Sequence, residues 1–442
     1  MVGNGKIFTA PFIWNGNEFL KNYVIKADND GVIEEVIPFD ELSEKEKLDV
    51  IIFQDQIILP GFVNCHSHSF HRFLRGKSCI GTPGEENFWK WRDNMYSLVQ
   101  NIDYKKMLYF CKITFKEMVE AGITTVGEFH YLHHSNIKEK NFDLDKAVIE
   151  AANEIGIRLV LIVTLYTFPG LNRSEELNQI QKHFECIIDE FIEHLNNLKK
   201  TIKMNNVSIG VAAHSIRAVD ENSLKKLWSF CKEKNLPLHI HMEEQPKEIE
   251  DCMKYLYKKP SEILLENFKS IGSVNLTAIH CSFTTRKIMD ELKQNDTKIC
   301  VCPLTEGYLG DNIPILDSED QIVLGSDCNN RISMLEEARW LAFGQHLRNN
   351  NRNHGKFDAN KLIKILTENG SKSLGLEKTI GKLKKGFKLD FTTIKLKSTV
   401  MRETQKQEDI NDSIIFSCDN KEIGNVYVNG KMPFFLINTL FN

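Results

Sequence analysis

Two histidines separated by a single residue, His66 and His68, follow an apolar run in the first part of the chain. Side chains in a β-strand alternate between two faces, so these two imidazoles are expected to point to the same side. Two imidazoles fixed on one wall can bind a borderline metal ion such as zinc. The motif alone also fits two polar residues at a strand end, and both interpretations stay open at this point.

Further polar residues recur where later apolar runs end. They are His214, His241, His280 and Asp327. Packing can explain one histidine at a strand end, but it does not explain repetition at successive strand ends. In a parallel barrel the carboxyl ends of the strands share one face, and that face carries the active site. The joint pattern therefore predicts a metal centre built from distant parts of the chain.

The middle of the chain alternates apolar strands with amphipathic helices. After the opening run at 57–59, strands are predicted over 123–129, 159–165, 207–213, 238–241, 276–279, 299–301 and 322–325. Helices are predicted over 103–121, 144–155, 174–200, 222–234 and 284–294. Such alternation indicates an α/β protein with a parallel sheet, and eight β units predict a (β/α)8 barrel of the TIM type. An open doubly wound sheet would usually carry a glycine-rich phosphate loop after its first strand, and the sequence has none.

Both ends of the chain read as short strands separated by turn residues. Strand-like segments occur at 6–9, 23–27, 32–37, 387–394, 425–428 and 433–437, and Asn429-Gly430 predicts a two-residue hairpin turn. We expect residues 1–56 and 381–442 to form one small β-sandwich beside a barrel over 57–380. The polar segment 398–412 is expected to be an exposed loop of that sandwich.

Composition narrows the class of protein. The chain has 442 residues, of which 42% are hydrophobic and 26% charged, and its net charge is −4. This balance does not indicate a nucleic-acid or membrane-surface partner. The 11 cysteines form no C-x-x-C pairs, and we see neither a signal peptide nor a membrane-spanning run. We therefore expect a protein with free thiols in the cytoplasm.

The chain resembles the metal-dependent amidohydrolase superfamily over nearly its whole length. The resemblance is carried by the H-x-H motif, by His241 and His280, and by the Gly325-Ser326-Asp327 strand end. It implies one divalent metal ion, with zinc favoured, bound by His66, His68, His241 and Asp327. Binuclear members place a bridging lysine or glutamate where this chain has His214, so one ion is expected rather than two.

Within that superfamily the chain is most similar to the N-formiminoglutamate deiminases. The matching stretches are 88–93, 128–131 with 133–134, 214–219, 239–245 and 337–340. The resemblance implies a homodimer and a small substrate with carboxylates, bound by Arg92, Tyr131, His214 and Arg217. Arginine binds a carboxylate through two parallel hydrogen bonds, which suits a substrate with two carboxylates. A structural alternative is that each arginine pairs with acids on nearby loops.

Two positions depart from the pattern of these deiminases. His71 stands where glutamine is typical, and Asn329 stands where histidine is typical. Both positions lie beside the expected site, and we count His71 among the substrate-binding residues. The departures leave the metal ligands in place but leave open which substrate side chain is accepted.

The resemblance also implies catalytic roles, which we state as a hypothesis. Asp327 takes a proton from water, His280 holds the attacking water, and Glu244 passes a proton to the nitrogen that leaves as ammonia. Strict strand alternation would favour the neighbouring Glu243, but the H-x-x-E spacing from His241 falls on Glu244. Two other functions stay open: a deaminase of guanine, 8-oxoguanine or an adenosine derivative, and a non-catalytic binding protein on the same barrel.

Overall fold

The structure is a computed structural model that describes residues 6–77, 87–202, 204–317, 321–352, 354–402 and 407–436. Its strands are β1 (Lys6–Thr9), β2 (Phe12–Trp14), β3 (Phe19–Leu20), β4 (Tyr23–Ala27), β5 (Ile33–Pro38), β6 (Val50–Ile52), β7 (Gln56–Pro60), β8 (Phe62–Ser67), β9 (Ile123–His130), β10 (Arg158–Leu165), β11 (Val207–Ser215), β12 (Leu238–Met242), β13 (Leu276–His280), β14 (Lys298–Val301), β15 (Ile322–Leu324), β16 (Phe391–Lys395) and β17 (Ile423–Tyr427).

Its α-helices are α1 (Glu44–Lys47), α2 (Asn87–Val99), α3 (Tyr104–Glu120), α4 (Asp143–Ile155), α5 (Ile188–Thr201), α6 (Glu221–Lys234), α7 (Pro246–Leu256), α8 (Pro260–Ile271), α9 (Arg286–Gln294), α10 (Pro303–Leu309), α11 (Met334–Asn349), α12 (Ala359–Lys364), α13 (Gly370–Ser373) and α14 (Gln407–Ser417). A π-helical turn, Ile365–Asn369, links α12 to α13, and short 3-10 turns occupy Phe39–Glu41, Ser69–Leu74, Gln181–His183, His354–Lys356 and Asn420–Glu422. Among the described helices, none combines the length and the apolar character needed to cross a bilayer.

Eight parallel strands, β8 to β15, form the central sheet in chain order. The first and last strands meet through a parallel bridge between Ser67 and Asp327. The Asp327 N–H donates to the His66 carbonyl at 3.0 Å, and the His68 N–H donates to the Asp327 carbonyl at 2.9 Å. The predicted (β/α)8 barrel is confirmed, and the seam that closes it contains three of the predicted metal ligands.

The barrel strands are apolar because both faces of the sheet are covered. All eight residues of β10 are buried, as expected for a parallel strand enclosed by side chains on one face and helices on the other. The turn between α4 and β10 contains a glycine that ends the helix. Helix α4 ends at Gly156, whose φ of 85° is the left-handed conformation that glycine adopts readily after a helix.

Strands from both ends of the chain form the predicted small sandwich. One sheet has the order β5-β4-β1-β6 and the other β17-β16-β7-β2-β3. The two sheets pack through aromatic side chains: Phe8 of β1 lies 5.4 Å from Phe391 and 5.3 Å from Tyr427, measured between ring centroids. These edge-to-face contacts join the first strand to the last and confirm that the termini share one core.

The apolar run at 57–59 belongs to the sandwich rather than to the barrel. It lies in β7, which pairs with β16 and β2. The barrel begins only at Phe62, after the chain passes between the two units at Gly61. A Cβ at Gly61 would lie 2.1 Å from the Thr124 hydroxyl oxygen, so only glycine fits this crossing. The strand was predicted correctly but placed in the wrong sheet, because burial between layers produces the same apolar pattern in either unit.

The predicted helix over 174–200 is wrong in its first half, since α5 begins only at Ile188. In the segment before α5, two asparagine side chains accept hydrogen bonds from backbone N–H groups. The Asn172 side chain accepts from the Ser174 N–H, and the Asn178 side chain accepts from the N–H groups of Ile180 and Gln181. Such local side-chain bonds compete with helical ones and favour turns.

Two predictions near the carboxyl end are also wrong. The segment 398–412 is not simply an exposed loop, because α14 begins at Gln407 and buries Ile410 and Ile414 against α11 and α12; residues 403–406 lie outside the described residues. Residues 434–436 form a helical turn where a strand was predicted, and residue 437 lies outside the described part of the chain. The hairpin at Asn429-Gly430 is confirmed, with φ values of 51° and 64°.

A buried ion pair connects the barrel to the sandwich. At the start of β10, Arg158 donates to both carboxylate oxygens of Asp390, at 2.7 and 3.0 Å, and to the side-chain oxygen of Asn429 at 2.5 Å. Both members of the pair are buried. The two units are therefore held together by a bidentate contact shielded from solvent, in addition to apolar packing.

Replacing Asp390 with Ala should lower the unfolding free energy by about 3–5 kcal/mol, because it leaves the Arg158 charge buried without its partner. The thermal unfolding midpoint, followed by circular dichroism, measures the effect. Glu154→Gln is the matched control, since it removes a carboxylate from the half-exposed pair with Lys112 and should cost less than about 1 kcal/mol. Equal shifts for the two variants would contradict the role given to the Arg158–Asp390 pair.

Candidate active site and metal centre

The four predicted metal ligands converge at the carboxyl ends of the barrel strands. His66 lies on β8, His68 follows it, His241 lies on β12, and Asp327 follows β15. The distance from Asp327 Oδ1 is 3.4 Å to His66 Nε2 and 3.4 Å to His68 Nε2, and the Nε2 atoms of His66 and His241 are 3.2 Å apart. All four side chains are buried.

The hydrogen bonds behind these rings indicate which nitrogen faces the centre as an acceptor. His68 Nδ1 lies 2.9 Å from the Phe129 carbonyl, and His241 Nδ1 lies 3.0 Å from the His214 carbonyl. Each Nδ1 must donate there, so each Nε2 directs a lone pair at the centre. Facing lone pairs and a carboxylate repel one another unless a cation lies between them.

The spacing of the donor atoms fits a tetrahedral cation. An ion with bonds of about 2.0–2.1 Å separates its ligand atoms by about 3.4 Å, close to the distances between these donors. Although burial opposes its charge, the adjacent histidines hold the pKa of Asp327 below its usual value, so this ligand is anionic. Three imidazoles and one carboxylate suit zinc and also other divalent ions.

His280 lies beside the predicted ligands and faces carboxylates on both sides. Its Nε2 is 3.9 Å from Asp327 Oδ2 and 3.8 Å from Glu244 Oε1, and its Nδ1 is 3.3 Å from Glu306 Oε1. Burial lowers the pKa of an imidazole, but the three carboxylates outweigh it and raise the pKa of His280 to about 10. This side chain can therefore donate hydrogen bonds to an oxygen at the centre.

Glu306 was missed by the sequence analysis. It lies in the first turn of α10, immediately after β14, and also accepts the Cys302 N–H at 3.0 Å. A carboxylate one turn beyond a barrel strand was the available signal. The pattern of polar residues at the strand ends does not include Glu306, because it lies one turn into the following helix.

The carboxylates of Glu243 and Glu244 lie in different environments. Glu243 has a φ of 47°, which interrupts strand alternation, and its carboxylate accepts from Ser261 and from the Thr284 hydroxyl at 2.6 Å. Glu243 is thus bound to neighbouring elements, whereas Glu244 lines the cavity. The geometry agrees with the choice of Glu244 as the carboxylate nearest the site, while its proton-transfer role stays a prediction.

A cavity of about 430 Å³ opens above the predicted metal ligands. Its lining includes all five predicted substrate-binding residues, His71, Arg92, Tyr131, His214 and Arg217. His68, His241, Glu244 and Asp327 also reach it. The side chains predicted from the sequence therefore come from the ends of five barrel strands, β8, β9, β11, β12 and β15, or from the segments that follow them, and the fold brings them to one space.

The two departures noted in the sequence occupy different environments. His71 lines the cavity, its Nε2 is 2.8 Å from the Tyr131 hydroxyl, and burial lowers the pKa of His71 to about 3, so the ring is neutral. Asn329 is buried below the cavity floor. Its amide donates to Ser67 Oγ and to the carbonyls of His68 and Asp327 at 3.0–3.1 Å. Asn329 therefore braces the barrel seam, whereas His71 faces the ligand space.

Two arrangements were considered from the sequence for the arginines: facing the substrate, or pairing with nearby acids. Arg217 does both. It lines the cavity, and it also pairs with acids: Nη2 is 3.3 Å from Glu244 Oε2, and Nε is 3.5 Å from Glu248 Oε1. Arg92 lies at the same cavity with its guanidinium over the Tyr96 ring at 5.5 Å. Two guanidinium groups thus border one ligand space.

A second histidine cluster lies behind the site and is centred on Asp145. His133 Nδ1 and His194 Nε2 are each 2.8 Å from its carboxylate, and His130 Nε2 is 3.2 Å away. His133 Nε2 also bonds the Thr164 carbonyl at 2.8 Å. Both ring nitrogens of His133 therefore donate, and despite burial Asp145 raises the pKa of His133 to about 10. The carboxylate lies within ion-pair distance of all three imidazoles and accepts hydrogen bonds from His133 and His194, so this cluster is a polar network within the core.

Comparison with known proteins identifies relatives that cover most of the chain. Formimidoylglutamate deiminase of Pseudomonas aeruginosa is 28% identical over 387 residues, which span 85% of this chain and 83% of that protein. A 5-methylthioadenosine/S-adenosylhomocysteine deaminase of Clostridium tetani is 25% identical over 88% of this chain and 84% of its own length. The crystal structure of an amidohydrolase from Brucella melitensis superposes with a TM-score of 0.83 and 25% identity, covering 97% of this chain and 94% of that one.

The family model described as "Amidohydrolase family" matches residues 57–432. The match includes every predicted metal ligand and runs from the strand before the barrel into the last part of the sandwich. It agrees with the parallel barrel and with the cluster of histidines and aspartate at the strand ends. This chain belongs to the amidohydrolase family.

Proposed function

We propose that the protein is a zinc-dependent hydrolase that converts N-formimino-L-glutamate to N-formyl-L-glutamate and ammonia. The observation that carries this proposal is that Arg92 and Arg217 line the same cavity as three of the predicted metal ligands, His68, His241 and Asp327. The similarity to the formimidoylglutamate deiminase of Pseudomonas aeruginosa supports it. Breakdown of histidine as the wider context, a cytoplasmic location and a homodimer are proposed from the sequence resemblance.

The charges around the cavity suit this substrate at both ends. Arginine binds carboxylates through paired, charge-assisted hydrogen bonds, and the substrate carries two carboxylates. Its formimino group is an amidine, which is cationic when protonated. Glu244 and Asp327 lie on the side of the cavity where the reacting carbon would be placed. A ligand with a cationic head and an anionic tail therefore matches the distribution of side-chain charge.

Zinc bound by His66, His68, His241 and Asp327 would lower the pKa of a water molecule to about 7 and so supply a nucleophile at neutral pH. Asp327 accepts the proton of the attacking water. The water oxygen adds to the amidine carbon as the C=N double bond becomes a single bond. The two protons that this oxygen loses pass to the terminal nitrogen through Asp327 and Glu244, and the C–N single bond breaks as the C=O bond of the formyl product forms. A carboxylate that relays protons in this way contributes about 10²–10⁴-fold in rate.

His280 interacts with the attacking oxygen, and Glu244 transfers a proton to the departing nitrogen. His280 donates from Nε2 to the oxygen that becomes the formyl oxygen, and Glu306 holds its other nitrogen. Glu244 lies 3.8 Å from His280 and delivers a proton to the departing nitrogen, which leaves as ammonia. Arg92 and Arg217 orient the carboxylates so that the amidine carbon faces this group of residues.

Deamination of an adenosine derivative is the second candidate. The similarity to the deaminase of Clostridium tetani supports it, and so does the aromatic part of the cavity lining, formed by Trp91, Tyr96, Tyr131, Tyr166 and Phe184. Such rings can stack on a base. A neutral purine nucleoside, however, would leave the two arginines without an anionic ligand, which is why we place this activity second.

Ammonia release should favour N-formimino-L-glutamate over 5′-methylthioadenosine and guanine by at least about 100-fold in kcat/KM, since Arg92 and Arg217 can form charge-assisted hydrogen bonds with its carboxylates and a neutral purine offers them no anion. A glutamate dehydrogenase-coupled assay at equal enzyme and zinc concentrations measures all three substrates. Preference for either purine would replace the first proposal with the second.

Arg92→Lys should lower kcat/KM for N-formimino-L-glutamate by about 10–100-fold, because lysine keeps the charge but cannot form the paired hydrogen bonds, each worth about 1.5–3 kcal/mol. Arg286→Lys is the matched control, since Arg286 pairs with Asp317 on the exposed surface and its replacement should leave the rate unchanged. A fully active Arg92→Lys variant would remove Arg92 from the substrate-binding set.

Asp327→Ala should abolish turnover and reduce bound zinc well below the roughly one ion per chain expected for the unmodified protein, because it removes both the anionic ligand and the proton acceptor. Inductively coupled plasma mass spectrometry after gel filtration measures the metal. Asp103→Asn, which alters the carboxylate that begins α3, should retain zinc and activity. Full activity of Asp327→Ala would exclude the proposed centre.

A further inference from the structure

Arg217 lies between two carboxylates that differ in their access to the cavity. Glu244 Oε2 is 3.3 Å from Arg217 Nη2, and both side chains line the cavity. Glu248 Oε1 is 3.5 Å from Arg217 Nε, and the Glu248 side chain is fully buried behind the arginine. A ligand in the cavity can therefore replace Glu244 at the guanidinium but cannot reach Glu248.

The Glu248 side chain is hydrogen-bonded to the backbone of Glu244. Located in the first turn of α7, it accepts the Glu244 N–H at Oε2, with a distance of 3.2 Å. Burial raises the pKa of Glu248 to about 7, and the Arg217 charge opposes that rise. Because a buried charge is costly without a partner, Glu248 and Arg217 hold each other in place. Glu248 is thus a positioning residue for both the arginine and Glu244.

Glu244 connects the arginine to the reacting centre. One of its oxygens contacts Arg217, and the other lies 3.8 Å from His280 Nε2. While the first contact holds, the carboxylate is bound on its outer side and is not free to turn toward a departing nitrogen. The position of Glu244 therefore depends on what else Arg217 binds.

We propose that Arg217 exchanges partners when the substrate binds: it takes a substrate carboxylate, releases Glu244 toward the amidine nitrogen, and keeps Glu248 as its constant partner. This inference rests on the proposed function and extends it. Arg217 already faces two carboxylates, so the arrival of a third favours the departure of the one that can move. The substrate carboxylate then serves turnover as well as binding.

The exchange differs from simple carboxylate binding in its kinetic signature. A contact that is equally strong in the ground state and in the transition state changes KM when it is lost and leaves kcat intact. A contact that releases a catalytic carboxylate changes kcat. Substrates that lack one carboxylate therefore distinguish the two models without any mutation.

The first experiment uses the unmodified, zinc-loaded protein. N-formimino-L-glutamate is compared with N-formimino-4-aminobutanoate, which lacks the α-carboxylate, and with N-formimino-L-glutamine, whose side chain is neutral. For at least one analogue we expect kcat at saturation to fall by about 10-fold or more and to recover several-fold when sodium acetate is added, compared with sodium chloride at the same ionic strength. Unchanged kcat for both analogues, or a loss that acetate does not reverse, would overturn the exchange.

The second experiment replaces the constant partner. At about pH 8.5, above the pKa of about 7 of the Glu248 carboxyl group, Glu248→Gln keeps the shape but removes the charge. Arg217 should then hold Glu244 more strongly, and kcat for N-formimino-L-glutamate should fall about 10-fold with a smaller change in KM. Glu250→Gln, on the exposed face of the same helix, is the control and should behave as the unmodified protein. Zinc content and the thermal midpoint establish that each variant is folded; if Glu248→Gln does not fold, the analogue series decides alone.

The outcomes separate this inference from the function on which it rests. If the zinc-loaded protein hydrolyses no formimino amino acid, the proposed function and the exchange both fail. If it hydrolyses N-formimino-L-glutamate and the analogues differ only in KM, the function stands and the exchange fails. A loss of kcat that acetate reverses, together with the kcat-selective effect of Glu248→Gln, is the result expected from the exchange.

Discussion

The backbone seam between β8 and β15 is the constraint on which the rest of the site depends. Two hydrogen bonds close the barrel and form the parallel bridge between Ser67 and Asp327, and these residues or their neighbours include three predicted metal ligands. Closure therefore fixes the donor atoms before any ion binds. Asp327 has a φ of 44° and His280 a φ of 72°, conformations that non-glycine residues seldom adopt. The surrounding barrel supplies the stability that maintains this strained arrangement, which leaves the centre preorganised.

Charge in the cavity is divided rather than spread evenly. Carboxylates surround His280, and two arginines border the ligand space beside them. Arg217 joins these regions because it contacts both the ligand space and Glu244. A purely cationic site would bind anions without directing them, and a purely acidic one would repel them. The division orients a ligand that carries both signs of charge, and orientation of the reacting carbon is a large part of what an active site contributes to rate.

The sequence was sufficient for the barrel and for most of the cavity because both depend on repeated local patterns. Strand and helix periods predicted the alternation, and residues at strand ends had to converge once the sheet was parallel. What the sequence did not reveal depends on tertiary contacts. The run at 57–59 is equally apolar in either sheet, Asn172 and Asn178 replace helical bonds with turns, and Glu248 and Glu306 acquire their surroundings only through packing. The choice of Glu244 over Glu243 rested on the H-x-x-E spacing, and the structure supplies its physical reason, because the left-handed Glu243 breaks strand alternation.

The two departures from the deiminase pattern can now be assigned to different physical roles. Asn329 uses its amide on three acceptors of the closing seam, so its identity affects the barrel before it affects any ligand. His71 lies at the cavity with a neutral ring bonded to Tyr131. It offers a substrate no charge, whereas Arg92 and Arg217 at the same cavity are cationic. In the proposed function, a change in the length or shape of the bound side chain would therefore affect contacts with His71, whereas the preference for carboxylates would depend on the two arginines.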